Sequence, residues 1–248
     1  KLGSDAAAED IAVGVFFLPR DNESCHAEIQ ALAEKTVKER GINIIGWRVC
    51  PVAPEELGEL AQKTRPHVLH FLMSKPSGWE ELQFERQLYL ARRTIEIATA
   101  ETAGFYMPTF SSRLISYKGL AMPATLKAFY LDMQDDDFHT AIALYHQRFS
   151  TNTFPAWPLG QPFRMVAHNG EINTVRGNRN WLASREELFE SDIWGDDVAL
   201  LKDLTSDNES DSASLDHALE LLALSGRSIE HSMCMLVPPA FINDKDIS

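Results

Sequence analysis

The chain has 248 residues, 44% hydrophobic and 24% charged, and carries a formal net charge of −13. That length and balance fit an ordinary globular protein with a core able to stand alone. The acidic excess argues against a nucleic-acid or anionic-membrane partner, since phosphate binding needs Lys and Arg in surplus, and no apolar run approaches the roughly 20 residues of a membrane helix.

Ile11 to Leu18 (IAVGVFFL) is a continuous apolar run of strand length, closed by Pro19. Ala27 to Arg40 has helical spacing at Ile29, Leu32, Ala33 and Val37, with Gly41 placed to end it. Ile42 to Val49 again reads as a strand, Pro54 to Lys63 as a short helix, and His67 to Met73 as a buried strand. Glu80 to Glu101 is the longest helical stretch, with Leu82, Leu88, Ala91, Ile95 and Ala98 available for an inner face. Strands are expected over Phe105 to Phe110 and Arg113 to Tyr117, then helices over Pro123 to Tyr130 and Asp137 to Arg148. A short alternating segment, Phe163 to His168, reads as another strand. Asn178 to Phe189 suggests a helix, Asp192 to Glu209 is acidic and irregular, and Ala213 to Leu224 is a helix ended by Gly226. Asp211 or Ser212 is a natural N-cap for that last helix. No repeat or long linker divides the chain, so one domain over 1–248 is expected.

The three cysteines, Cys25, Cys50 and Cys234, are odd in number and widely spaced, which is neither a disulfide framework nor a zinc pattern. They point to a reducing compartment. Cys25 falls in a polar stretch, Cys50 ends a strand, and Cys234 lies among methionines as core packing would. The pairs His67/His70 and His139/His146 have no thiol or carboxylate at ligand spacing and read as structural. The aromatics Phe149, Phe154, Trp157 and Phe163 read as loop-packing core.

The residues that look most like a site lie between His146 and Trp181, HQRFSTNTFPAWPLGQPFRMVAHNGEINTVRGNRNW. Arg148 offers a planar fork that grips a carboxylate in two places, and equally suits a structural ion pair. Asn169-Gly170 is the dipeptide of a tight hairpin turn. Equally, a side-chain amide and an adjacent backbone N–H are what an oxyanion hole requires.

This segment resembles the hallmark of the glutaminase domain of the glutamate synthase large subunit, a class II glutamine amidotransferase of the N-terminal-nucleophile hydrolase fold. The likeness extends to VGVFFLP, FERQLYLARRTIE, SSRLISYKG, SDSASLDHALELL and GRSIEHSM. It implies an α/β chain of the α+β type, a four-layer αββα sandwich lacking its first strands. It also implies hydrolysis of glutamine to glutamate and ammonia by an N-terminal cysteine. That cysteine's own α-amine, with a reference pKa of about 7.7–8.0, serves as base.

By this resemblance Asn169 and Gly170 form the oxyanion hole, Arg148 holds the substrate α-carboxylate and Asp211 the α-ammonium. His168 then reads as strand-end packing or support for the site, with Glu171 and Arg176 as further supporting groups. The family's nucleophile has no counterpart at Lys1, so the chain alone is expected to be inactive. No cofactor is expected here: FMN and an iron–sulfur cluster belong to other domains of such enzymes. The implied partners are L-glutamine and L-glutamate, the downstream synthase domains, and a small subunit or ferredoxin. The implied location is cytoplasmic, with the plastid stroma as alternative. The rival readings are another class II amidotransferase, or a catalytically silent glutamine-binding module.

Overall fold

The computed structural model describes residues 10–147, 154–205 and 210–238. The chain divides into two compact units, Lys1–Arg164 and Met165–Ser248. The fold is of the mixed α+β class that the sequence predicts.

The first unit is built on one antiparallel sheet of four strands in the order β2-β3-β1-β4. These are β1 (Ile11–Leu18), β2 (Asn43–Val49), β3 (His67–Ser74) and β4 (Tyr106–Ser111). The central pair runs in continuous register from Ile11 opposite Ser74 to Leu18 opposite His67. Both faces of the central strands are covered, which is why β1 is a solid apolar run and not an alternating one. Ala12, Phe16 and Leu18 pack with Leu69, Phe71 and Met73 against helices α1 (Glu23–Glu39) and α3 (Glu81–Ala98). Val15 and Phe17 face the other way with Val68, toward Phe129, Tyr130 and Trp157. Gly14 is fixed by crowding: a Cβ there would stand 2.7 Å from the Phe110 ring and 2.8 Å from that of Phe16.

Helix α1 begins four residues earlier than the apolar spacing predicts, because the Asn22 side chain accepts the Cys25 N–H and caps it. The expected helix over 54–63 is a 3₁₀ turn, Pro54–Glu56, followed by α2 (Glu59–Thr64). Helix α4 spans Pro123–Phe129.

Three expected elements are not formed among the described residues. Over 113–117 side chains take the backbone donors a strand would have used: Glu85 accepts the Ser112 N–H, Ser111 that of Arg113, and Thr109 that of Ser116. Over 137–147 no helix forms. Asp135 turns the chain by accepting the Asp137 N–H, and Ile142, Leu144 and Tyr145 remain exposed. The strand expected over 163–168 is irregular for the reason given below. One sheet is formed among the described residues. Of the expected aromatic core, Trp157 and Phe163 are buried whereas Phe154 is 95% exposed; Phe149 lies outside the described residues.

The second unit is helical. It contains α5 (Val175–Ala183), a 3₁₀ segment Gly195–Leu201, α6 (Asp211–Leu224) and α7 (Ile229–Leu236). Asn178 on α5 and Thr174 before it both donate to the Leu236 carbonyl, closing the last turn of α7. Gly226, at φ +92°, ends α6 in the left-handed conformation that glycine tolerates best. The cap of α6 is Ser210, not Asp211 or Ser212: its hydroxyl accepts the Ala213 N–H. Asp211 is thereby the first helical residue.

Candidate functional site

The candidate site is assembled on the first turns of α6. Asp216 is fully buried, and one of its carboxylate oxygens accepts the N–H of Met165 at 2.5 Å and of Val166 at 3.1 Å. Those two donors are the ones a strand partner would have taken, so the 163–168 segment is held by a side chain in place of a ladder. Four residues before Asp216, on the same helix face, lies buried Ser212. Its hydroxyl is 2.7 Å from His168 Nε2, and His168 Nδ1 is 2.7 Å from the Gly170 carbonyl oxygen. A carbonyl only accepts, so Nδ1 carries the proton; the single Ser212 hydroxyl proton can go either to Nε2 or to the Asp211 carboxylate.

The predicted residues can now be placed. Asn169 and Gly170 sit in an exposed bend, and Asp211 is half-buried at the start of α6. They are connected: one Asp211 oxygen accepts the Ser212 N–H at 2.7 Å and lies 3.2 Å from the Ser212 hydroxyl. Asp211, Ser212, His168 and Gly170 thus form one hydrogen-bonded chain. A Cβ at Gly170 would meet nothing within 4 Å, and Gly170 is not among the glycines of positive φ. Neither packing nor backbone strain demands a glycine there. Arg148 lies outside the described residues. Glu171 and Arg176 are exposed.

Two residues of this network escape a reading of the sequence, and a third, His168, is left between packing and support. Ser212 and Asp216 look like the polar positions of an amphipathic helix, and only the approach of 165–170 gives them work. His168 was separable from packing only by its partners. Arg179 on α5 adds a brace, its Nε donating to Ser214 on α6 at 2.9 Å.

A second polar cluster occupies the first unit. Cys50, His70 and Asp132 place donor atoms within 4.8 Å of one another, which the sequence spacing does not foretell. A cation is already there: Arg48 makes a two-pronged ion pair with Asp132 and approaches His70 Nδ1 at 3.2 Å. The Tyr117 hydroxyl also donates to Asp132. Burial pushes the Cys50 thiol up to about 12, with the Asp132 charge adding to it. Burial lowers His70 to about 4, helped by Arg48. Burial alone would raise Asp132, but hydrogen bonds from Arg48 and Tyr117 hold it below the usual carboxylate range. A thiol so strongly held in its protonated form is a poor nucleophile. Cys25 lies in the first turns of α1, and Cys234 is exposed on α7 and not in a core as its methionine neighbours imply.

Comparison with known proteins shows the family. The profile of the class II glutamine amidotransferases matches residues 3–248. The ferredoxin-dependent glutamate synthase of Pyropia yezoensis is 43% identical over 245 residues, 97% of this chain and 16% of that protein. The glutamate synthase [NADPH] large chain of Azospirillum brasilense is 40% identical over 246 residues, 98% of this chain and 16% of that protein. Its counterpart in Bacillus subtilis is 39% identical over 236 residues, 94% of this chain. The chain therefore spans about a sixth of the length of these relatives. It belongs to the class II glutamine amidotransferases, a family of enzymes.

Proposed function

We propose that this chain is the ammonia-releasing segment of a glutamate synthase large subunit and contributes the pocket in which glutamine is hydrolysed. The observation that carries this reading is the exposed Asn169-Gly170 bend, tied through His168 and Ser212 to Asp211. In the proposed roles, the Asn169 side-chain amide and the Gly170 N–H stabilise the oxyanion formed when a thiolate attacks the substrate amide. Asp211 takes the α-ammonium, and one of its oxygens is engaged by Ser212. Arg148 takes the α-carboxylate. Ammonia passes to a synthase site outside this chain, where FMN and an iron–sulfur cluster belong, and the electron donor is a small subunit or ferredoxin.

The attacking sulfur is not among the three thiols here. The state of Cys50 supports this; Cys25 is packed against the core of the first unit and Cys234 is exposed on α7. The isolated chain is therefore expected to bind glutamine or glutamate without releasing ammonia.

Calorimetry with L-glutamate tests the pocket. Binding should be saturable, and lost in Asp211→Asn and Arg148→Ala. Heat signals unchanged by both substitutions would refute the assignment. In the complete polypeptide that carries this segment, Asn169→Ala should lower the rate of ammonia release by about 10²–10³-fold, as removal of one oxyanion donor does.

A further inference from the structure

Neither the proposed chemistry nor the family resemblance gives His168 a defined task, yet it has the most specific set of contacts in the site. It bridges the Gly170 carbonyl and the Ser212 hydroxyl at 2.7 Å each. The ring closed from the His168 backbone through its side chain to the Gly170 carbonyl encloses the whole Asn169–Gly170 peptide. That is the peptide whose N–H is proposed as the oxyanion donor. On the chain's other side, Asp216 fixes the Met165 and Val166 amides. Both anchors come from one face of α6, whose first residue is Asp211.

We infer that His168 is a positioning residue: seated on Ser212, it clamps the Asn169–Gly170 peptide so that the oxyanion donor and the ammonium-binding carboxylate are registered on one helix. This rests on the functional reading above, and it gives a physical role to the hydrogen-bonded chain from Asp211 to Gly170. Asp216 is the second clamp, acting on the entry to the bend. The arrangement explains how an exposed loop can hold an amide to the small tolerance that oxyanion stabilisation requires.

The clamp predicts a tautomer and a pair of non-equivalent substitutions. His168→Asn keeps an N–H donor near the place of Nδ1 and loses the reach to Ser212. His168→Gln reaches toward Ser212 and loses the bond to Gly170. Nitrogen-15 NMR of the 248-residue chain should show His168 protonated at Nδ1. The Gly170 and Glu171 amide resonances should move furthest in His168→Gln, which breaks the bond to Gly170, and less in Ser212→Ala and His168→Asn, which lose only the seat on Ser212. In the complete polypeptide, His168→Gln should lower kcat for glutamine hydrolysis by about 10²-fold with KM little changed, and His168→Asn should recover most of it.

Protonation at Nε2 alone, or Gly170 resonances indifferent to His168→Gln, overturns the clamp. Equal kinetic loss in the Asn and Gln variants overturns it too, marking a residue that only fills space. Failure of the functional reading would be seen separately, as a wild-type polypeptide that releases no ammonia while the NMR signature of the clamp stands.

Discussion

At the scale of single residues, the proposed site separates groups assigned to the substrate from groups that hold them in place. Gly170 gives the cleanest test. A methyl group there meets open space and no left-handed backbone has to be maintained, so Gly170→Ala should leave the unfolding free energy unchanged to within about 0.5 kcal/mol. It should nonetheless depress ammonia release, by standing where the oxyanion approaches; a variant of normal activity would remove Gly170 from the proposed hole. The Arg48–Asp132 cluster makes a different prediction, about pH. His70 titrates near 4 in the folded chain, below its ordinary value, so the unfolded chain binds more protons in between. Stability is therefore fully present above about 6.5 and is lost as pH falls toward 4, by something on the order of 1–3 kcal/mol. Asp132, also depressed, extends the loss to lower pH. The Cys50 thiol works in the opposite direction: raised to about 12, it withdraws stability as pH climbs above its unfolded value. Urea denaturation from pH 4 to 7 should show a flatter acid limb in His70→Asn. An identical limb in wild type and variant would mean the loss arises elsewhere.

At the scale of elements, α6 is the part on which the site depends, and its two ends differ in how legible they were. The C-terminal stop at Gly226 follows from glycine's freedom at positive φ, and the sequence shows it. The N-terminal cap does not: Ser210, Asp211, Ser212 and Ser214 all qualify chemically, and local sequence does not rank them. Tertiary contact did, because Ser212 is engaged by His168 and Ser210 is left to accept the Ala213 N–H. Ser210→Ala should cost about 1 kcal/mol, measured by thermal melting, and should also weaken glutamate binding by loosening Asp211. In β1 the constraint is steric. Gly14→Ala drives a methyl into Phe110 and Phe16, and should cost about 1–3 kcal/mol with the fold retained. A neutral Gly14→Ala would show that the two rings can move aside. The strands expected over 113–117 and 163–168 are absent for one shared reason. Carboxylate and hydroxyl groups of Glu85, Ser111, Thr109 and Asp216 take their backbone donors, a competition that no alternation pattern encodes.

At the scale of the whole molecule, thiol accessibility reports on both units at once. Cys234 is exposed and Cys50 is buried, so a thiol reagent should modify Cys234 quickly and Cys50 only on unfolding. Rapid modification of Cys50 in native protein would contradict the packing around Tyr130 and Trp157. The sequence by itself determined the family, the four strands and the long helices α1 and α3 of the first unit, and the residue types at the Asn169-Gly170 bend. These depend on local periodicity and on an uninterrupted motif, both written along the chain. The tertiary structure alone decided which polar groups work together: Asp216 with the 165–166 amides, Ser212 with His168 across 44 positions, and Arg48 with Asp132 across 84 and with His70 across 22. The physical reason is that a hydrogen bond or ion pair acts over about 3 Å of space and is indifferent to separation along the chain.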